Sequence, residues 1–278
     1  MPTRFAPSPT GLLHLGHAYA AVFARDLAKA NQTQFLLRFE DIDTTRVREP
    51  YYLAIEQDLD WLGIAWDGTP LRQTDRLSVY AQVLEKLKSL DVVYPCFCTR
   101  REILNEIANI GGAPHINNDS GETNYPGTCR ALSAEQRQER ILAGEAHCWR
   151  LDSRAAAELT GPLSFEDKIH GKVQVDPDIL GDVVLARKDI PTSYHIAVVT
   201  DDAMQQITDV TRGEDLLTST HIHRTLQNLL GYPEPLYHHH RLILDNQHKR
   251  LAKRDKALSI QTLREQGKSP EEVLAMLT

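Results

Sequence analysis

Apolar and polar residues near the N-terminus follow the order of a strand, a helix and a second strand. A short apolar segment at Arg4–Phe5 leads into a proline-containing turn, and residues 14–32 carry apolar side chains at helical spacing. Residues 34–43 are apolar as far as Arg38 and then become acidic, which predicts a second strand. Elements of these lengths predict a right-handed βαβ unit with its ligand crevice at the carboxyl ends of the strands.

Two further helices are predicted at residues 49–64 and 76–90. The expected apolar stripe of the first consists of Leu53, Ile55, Leu59, Leu62 and Ile64. From Cys96 to about Arg187 the chain becomes rich in Gly, Asn and Pro, which is typical of an inserted lobe, and alternation near its end predicts short strands.

The first pattern returns near residue 192. An apolar strand is predicted to end at Asp201 and Asp202, followed by a second short strand and by a helix that begins after Gly213. After Pro235 the pattern predicts a strand, a basic loop and one or two small amphipathic helices. The order of elements places the chain in the α/β class.

Composition excludes several classes of protein. The chain has 278 residues, of which 41% are hydrophobic and 25% charged, as in an ordinary globular domain. No apolar run approaches the roughly 20 residues that span a bilayer, so we expect a cytoplasmic protein without membrane association. The net charge of −7 argues against a basic nucleic-acid coat, but residues 241–256 contain six basic residues and two acids, a local charge of +4.

Four cysteines indicate a metal site, because a reducing compartment disfavours a disulfide framework. They are Cys96, Cys98, Cys129 and Cys148. Spacing alone favours Cys148, His115 or His147 as the fourth ligand, because thiolate and imidazole are the usual zinc ligands, and it leaves four unmetallated thiols as the alternative. The histidines at 238–240 lie on a predicted strand and point to alternate faces, so they cannot all bind one ion.

The segment His14-Leu15-Gly16-His17 stands at the start of the first predicted helix. A helix N-terminus offers free N–H groups and partial positive charge to phosphate. Gly16 would allow a planar ring to approach the backbone, and two imidazoles can donate hydrogen bonds, so the segment fits ATP as well as it fits a simple local turn.

Five segments together resemble the catalytic half of the class I glutamyl-tRNA synthetases, from Arg4 to about Arg254. They are RFAPSPTGLLHLGH, LLRFEDID, TSYHIAVVTDD, TRGEDLL and KRLAKR. The resemblance implies a Rossmann-like nucleotide-binding fold with an inserted zinc-containing lobe and a short C-terminal helical segment. It divides the chain into the first half of the catalytic domain, the inserted acceptor and zinc lobe, the second half of the catalytic domain, and a C-terminal region with the lysine loop: residues 1–95, 96–187, 188–235 and 236–278.

The same resemblance implies ATP-dependent activation of L-glutamate to glutamyl-adenylate, with Mg²⁺ on the ATP, and transfer of the glutamate to a hydroxyl of tRNA. It assigns catalysis to His14, His17 and Lys253, and ATP binding to His14, Gly16, His17, Arg250 and Lys253. It assigns L-glutamate binding to Arg4, Phe5, Ala6, Pro7, Ser8, Glu40, Tyr194 and Arg212. It implies one structural zinc on Cys96, Cys98, Tyr125 and Cys129, with Cys148 as the rival of Tyr125.

The chain departs from the family at three positions. Ala252 replaces a serine of the lysine loop, and Val198 and Leu216 replace the Asn and Trp of full-length glutamyl enzymes.

The chain also ends 24 residues after Arg254, which is too short for a helical anticodon-binding domain. In this it is similar to the short glutamyl-Q tRNA(Asp) synthetases, which attach glutamate to queuosine in the anticodon loop. We therefore expect a monomer that binds the anticodon stem-loop of tRNA(Asp). The alternatives are a truncated synthetase that charges the 3′ end and a non-catalytic tRNA-binding paralogue.

Overall fold

A computed structural model describes residues 2–103, 125–243 and 259–277. The strands are β1 (Thr3–Phe5), β2 (Phe35–Phe39), β3 (Leu71–Arg72), β4 (Val93–Cys96), β5 (Cys148–Leu151), β6 (Ser164–Asp167), β7 (Gly171–Gln174), β8 (Val184–Ala186), β9 (Asp209–Gly213) and β10 (Leu236–His240). The helices are α1 (Leu15–Ala30), α2 (Pro50–Trp61), α3 (Leu77–Ser89), α4 (Ala134–Leu142), α5 (Ser153–Thr160), α6 (Tyr194–Met204), α7 (Leu217–Leu230), α8 (Ile260–Glu265) and α9 (Pro270–Ala275).

Parallel strands form the centre of the fold. Strands β1, β2 and β3 pair in parallel in that order, and a second sheet has the order β7-β6-β10-β9, in which only β7 is antiparallel to its neighbour. The two sheets meet at β1 and β9, where the N–H of Thr208 donates to the carbonyl oxygen of Pro2 at 3.2 Å. Arg4 Nη1 donates to the carbonyl oxygen of Thr211 at 3.1 Å. The ends of β1, β9 and β10 therefore lie at one edge, where a parallel α/β sheet binds its ligands.

Local signals explain the first βαβ unit. Helix α1 begins after His14, whose extended backbone and side chain form a capping box with His17, and its buried face carries Leu15 and a row of alanines. Small alanine side chains allow α1 to pack closely on β1 and β2. The predicted strand, helix and strand are thus all present, and their strands are parallel as expected.

Two predictions about elements were wrong. Residues 194–202 form most of helix α6 and not a strand. Residues 196–202 are all buried, so no polar face interrupts the apolar run, and a short apolar run without a polar face does not distinguish a buried helix from a buried strand. Leu53 is 58% exposed, whereas Tyr52 is buried and fills the place in the apolar stripe of α2.

The cysteine-bearing part of the chain forms an antiparallel sheet with the order β4-β5-β8. Strands β6 and β7, which come next in the chain, belong to the other sheet, where β6 pairs with β10. The division of the chain into four segments stays a prediction. The pairing of β6 with β10 bears on where the inserted lobe ends.

The C-terminal helices pack on the first βαβ unit. Ile260, Leu263 and Val273 are buried in the same cluster as α1 and α2. The N–H of Ile260 donates to the carbonyl oxygen of Leu13 at 2.9 Å, beside an isolated bridge between His14 and Ser259. In the ranges that the structure describes, no helix has the length and apolarity needed to cross a membrane.

Candidate active site

A cavity of about 340 Å³ lies at the edge where β1, β9 and β10 end. Its lining consists of Arg4, Phe5, Ala6, Pro7, Ser8, His14, Gly16, His17, Ala20, Glu40, Tyr194, Thr211, Arg212, Gly213, Asp215, Leu216, His240, Arg241, Leu242 and Ile243.

The cavity brings together all the predicted glutamate-binding residues and all the predicted ATP-binding residues that the structure describes. Arg250, Ala252 and Lys253 lie outside the described residues. The chain enters that segment from Ile243, which lines the cavity, and leaves it at Ser259, which pairs with His14. Ile243 and Ser259, the described residues on either side of the segment that contains the predicted lysine loop, therefore lie next to the cavity.

The two histidines of the first signature have defined protonation. His14 Nδ1 accepts the N–H of Gly16 at 3.1 Å, and His17 Nδ1 accepts the N–H of His14 at 3.2 Å. Because each Nδ1 is an acceptor, the neutral rings carry their proton on Nε2. Each ring therefore offers an N–H donor of the kind that a phosphate oxygen accepts.

Gly16 is required by close approach. A Cβ at this position would stand 3.0 Å from Cε1 and 3.1 Å from Nδ1 of the His14 ring. The glycine thus leaves room for the imidazole that caps the helix, as well as for a ligand.

Arg4 is paired with a carboxylate within the protein. Its Nε and Nη2 donate to the two carboxylate oxygens of Asp202 at 2.8 and 3.2 Å, and Arg38 Nη1 donates to the same carboxylate at 2.7 Å. Burial alone would raise the pKa of Asp202, but these two arginines hold it below its usual value. The edge of Arg4 that would bind a carboxylate in a bidentate manner is thus occupied, and Arg4 can offer only its remaining N–H groups to a ligand.

Arg212 has different surroundings. Among the described residues its hydrogen-bond partners are two imidazoles and two hydroxyls: His239, His223, Thr220 and Tyr194. None of these groups is a carboxylate, although Arg212 is only 6% exposed. A buried cation with neutral partners attracts an anion, because the low dielectric of the interior leaves its charge unscreened.

Glu40 supplies the opposite charge to the cavity. Its N–H donates to the carbonyl oxygen of Pro7 at 3.1 Å, which holds the loop after β1 beside the end of β2. Burial raises the pKa of the Glu40 carboxyl, and the charges of Arg38 and Arg4 partly oppose that rise. A bound ammonium group would stabilise the ionised carboxylate in the same way.

Sequence reasoning missed several lining residues, among them Thr211, Asp215 and the segment 241–243. Thr211 lies within β9, and the others follow β9 or β10, so the rule that ligands bind at the carboxyl ends of parallel strands could have found this region. Leu216 lines the cavity, as its family position implied, whereas Val198 lies in a separate buried cluster with α3 and α7.

A second candidate site lies at the end of β4. The sulfur atoms of Cys96, Cys98 and Cys129 are within 4.8 Å of one another, and those of Cys98 and Cys129 are 3.4 Å apart. A tetrahedral zinc with bonds of about 2.3 Å places its sulfur ligands about 3.8 Å apart, so the three thiols fit this ion. Hydrogen bonding to Cys96 and burial raise the pKa of Cys129 to about 12, so a metal would have to displace protons.

Both predicted fourth ligands lie near this cluster. The Tyr125 hydroxyl is 3.5 Å from Cys98 Sγ and accepts the N–H of Cys129 at 2.8 Å. Cys148 pairs with Cys96 across β4 and β5 but is not within the 4.8 Å group. His147 binds the carbonyl oxygen of Glu145, and His115 lies outside the described residues.

Comparison with known proteins identifies the family. The model of the family "tRNA synthetases class I (E and Q), catalytic domain" matches residues 1–278. The chain belongs to this family. A Rhodobacter capsulatus protein named Glutamyl-Q tRNA(Asp) synthetase is 46% identical over 286 residues, which cover 100% of this chain and 99% of the relative. An Aquifex aeolicus protein named Glutamate--tRNA ligase is 37% identical, covering 97% of this chain and 54% of the relative.

The crystal structure of a glutamate-tRNA synthetase from Elizabethkingia anophelis has the same fold, with a TM-score of 0.82 and 30% identity. The match covers 100% of the chain described here and 61% of the Elizabethkingia chain. The predicted α/β fold, the resemblance to the glutamyl enzymes and the classification as a ligase of the aminoacyl-tRNA synthetase type are thereby confirmed.

Proposed function

We propose that this synthetase activates L-glutamate with ATP and Mg²⁺ to form glutamyl-adenylate. The observation that carries the proposal is the charge arrangement of the cavity, in which Arg212 has no carboxylate partner among the described residues and Glu40 lines the same space. A guanidinium fits a carboxylate of the substrate and an acid fits its ammonium group. The cavity volume of about 340 Å³ is within the range of small-molecule sites.

In the activation step an oxygen of the α-carboxylate attacks the α-phosphorus of ATP. A new O–P bond forms, the bond to the β-phosphate oxygen breaks, and pyrophosphate leaves with the electron pair. Such an in-line displacement needs positioning and charge stabilisation more than a protein nucleophile. The Nε2–H groups of His14 and His17 supply neutral donors, and Arg250 and Lys253 supply the positive charge that the sequence places in the lysine loop.

Glutamate-dependent exchange of labelled pyrophosphate into ATP tests this step. We expect exchange without added tRNA, and weaker exchange with glutamine, which lacks the second carboxylate. No exchange with any amino acid, with or without tRNA, would favour a non-catalytic tRNA-binding protein.

We further propose that the acceptor is a hydroxyl of queuosine in the anticodon loop of tRNA(Asp). That hydroxyl attacks the activated carbonyl carbon, an ester bond forms, and AMP leaves. Support comes from the Rhodobacter relative, which the chain matches over 99% of the relative's length. The name of the Aquifex relative favours the second candidate, transfer to the 3′ end of a tRNA.

An isolated anticodon stem-loop that carries queuosine separates these acceptors, because it lacks a 3′ acceptor end. Labelled glutamate should become attached to this fragment in the presence of ATP. Attachment to intact tRNA alone would instead support charging of the 3′ end.

We also propose that Cys96, Cys98, Tyr125 and Cys129 hold one structural zinc ion. The spacing of the three sulfur atoms and the position of the Tyr125 hydroxyl support this set. Zinc would supply a coordinate link between the end of β4 and the segment around Cys129.

A further inference from the structure

The orientation of Arg212 is set by a buried chain of hydrogen bonds. Arg212 Nε donates to His239 Nε2 at 3.1 Å, so this ring nitrogen must carry a lone pair. Because a neutral imidazole holds one proton, that proton lies on Nδ1 of His239. The Nδ1–H donates to Asp167 Oδ2 at 2.6 Å.

The Asp167 carboxylate can act only as a hydrogen-bond acceptor. Its Oδ1 accepts the N–H groups of Ile169 and His170, both at 2.8 Å, and its Oδ2 also accepts the N–H of His239 at 3.2 Å. Although burial opposes it, these donors hold the pKa of Asp167 below its usual value. The carboxylate is therefore ionised, and it can only accept.

The other side of the guanidinium is held in the same way. Arg212 Nη1 donates to His223 Nδ1 at 2.9 Å, so the proton of His223 lies on Nε2, which is 3.1 Å from His195 Nδ1. Burial and the positive charge of Arg212 lower the pKa of His239 to about 3 and that of His195 to about 4. The rings of His239 and His195 are thus neutral. Each has one ring nitrogen that carries the proton and one that accepts a hydrogen bond.

We propose that Asp167 is a positioning residue for substrate binding: by fixing the Nδ1–H tautomer of His239 it aims the guanidinium of Arg212 into the cavity without neutralising it. A carboxylate in direct contact with Arg212 would hold the arginine equally well but would compete with the substrate. One imidazole between them transmits orientation and leaves the cation available for an anion. This inference rests on the proposed activation of glutamate.

The first test is Asp167→Asn. A single amide oxygen cannot serve both the turn N–H groups and His239, and an amide NH₂ facing Nδ1 forces the opposite tautomer, whose Nε2–H would oppose the N–H of Arg212. We expect the KM for glutamate in pyrophosphate exchange to rise about tenfold or more, the loss of one hydrogen bond to a charged group, while the KM for ATP changes less than about twofold.

Asp209→Asn is the matched control. Asp209 is buried on β9, on the opposite side of β10 from Asp167, and binds His238 Nε2 at 3.0 Å, but the hydrogen bonds of Arg212 do not include His238. The control should lose comparable thermal stability and keep its KM for glutamate. Equal kinetic behaviour of the two variants would overturn the proposal, because it would make Asp167 a structural residue only.

Two variants of His239 test whether Asp167 acts through the hydrogen bond between His239 and Arg212. His239→Gln places an amide oxygen near the former Nε2 and can still accept from Arg212, whereas His239→Asn can reach Asp167 but not Arg212. We expect the Gln variant to retain more glutamate affinity than the Asn variant. The reverse order would contradict a role exerted through Arg212.

The tautomer itself can be measured on the unmodified protein. Long-range ¹H–¹⁵N correlation spectra of histidine-labelled protein, with His239 assigned from the His239→Gln spectrum, should show a proton on Nδ1 and none on Nε2 at pH 7. An Nε2–H tautomer or an imidazolium would overturn the proposal. If the wild type shows no glutamate-dependent exchange, the proposed function fails, and this spectrum still decides whether Asp167 orients His239.

Discussion

At the scale of residues, two arginines that line one cavity have opposite electrical roles. Arg4 shares the carboxylate of Asp202 with Arg38, so its charge is compensated inside the protein. Arg212 is held by neutral rings and hydroxyls, with no carboxylate among its partners in the described residues, so we propose that its charge serves a ligand. The sequence motif indicates both arginines, but the difference depends on Asp202, which is 198 positions from Arg4 and lies in a segment predicted as a strand.

This difference predicts contrasting effects of the same substitution. Arg212→Gln should raise the KM for glutamate about 100-fold and destabilise the protein less than Arg4→Gln does, because its partners are neutral groups and no buried carboxylate loses a cation. Arg4→Gln should destabilise by about 2 kcal/mol or more, because half of the compensation of buried Asp202 is removed. Urea unfolding and pyrophosphate exchange measure the two effects. Equal stability loss in both variants would contradict the assignment.

Gly16→Ala gives a further prediction at this scale. The new methyl group would push the His14 ring from its capping position, because the ring atoms stand 3.0 Å from the added Cβ. We expect kcat of exchange to fall about tenfold through the misplaced donor. Helix stability should change little, since the better helix propensity of Ala offsets the loss of the cap. An unchanged kcat would show that the ring position does not matter for the reaction.

At the scale of elements, helical periodicity identified the helices that have one buried face, and short apolar runs identified the buried strands. Helices α1 and α3 and strands β1, β2 and β9 lie where the apolar pattern predicts them. Helix α6 was predicted as a strand because its residues 196–202 are buried on every side. The position of β6 beside β10 could not be predicted, because a single parallel contact between distant segments leaves no periodic signal.

Asp58 on α2 is buried beside Arg264 of the C-terminal helices. Among the described residues neither carboxylate oxygen has a hydrogen-bond partner, and the guanidinium of Arg264 is 3.6 Å away. Burial raises the pKa of Asp58 to about 6, and Arg264 opposes that rise. The folded state therefore binds this proton more tightly than the unfolded state, so the carboxyl contributes a loss of stability as pH rises through about 4 to 6.

Asp58→Asn should remove this loss. Its free energy of unfolding should match that of the wild type at pH 4 and exceed it by about 2 kcal/mol at pH 7. Urea unfolding at several pH values measures the difference. Asp60→Asn, an exposed change on the same helix, should give a curve parallel to the wild type. A wild-type advantage at pH 7 would show that the contact with Arg264 outweighs the cost of burying the charge.

The cysteine cluster offers a test with an internal control. Cys129→Ser should lose the zinc that we propose for the wild type, because Cys129 belongs to the group of sulfur atoms within 4.8 Å. Cys148→Ser should keep it if Tyr125 completes the site, and Tyr125→Phe should lower the zinc affinity. Metal analysis of the purified variants measures the content. If the Tyr125 variant retains zinc and the Cys148 variant loses it, the fourth ligand is Cys148 and not Tyr125.

At the scale of the whole molecule, one cavity collects side chains from both ends of the chain. The segment after β1, the start of α1 and the ends of β9 and β10 converge although about 230 positions separate the first from the last. The sequence motifs contain many of the residues that line the cavity, because charged and imidazole side chains at these positions indicate the groups that they could bind. The hydrogen bonds behind Arg212 were not predictable, since a buried His or Asp has the same sequence signature whether it positions a ligand or fills a core.

The central claim is that glutamate, activated in this cavity, is transferred to queuosine. The most direct measurement supplies labelled glutamate and ATP with tRNA(Asp) that carries or lacks queuosine, and with tRNA(Glu), followed by mild base to release ester-linked label. We predict base-labile label on queuosine-containing tRNA(Asp) alone. Label on the 3′ end of tRNA(Glu), or equal labelling of tRNA(Asp) without queuosine, would contradict the account.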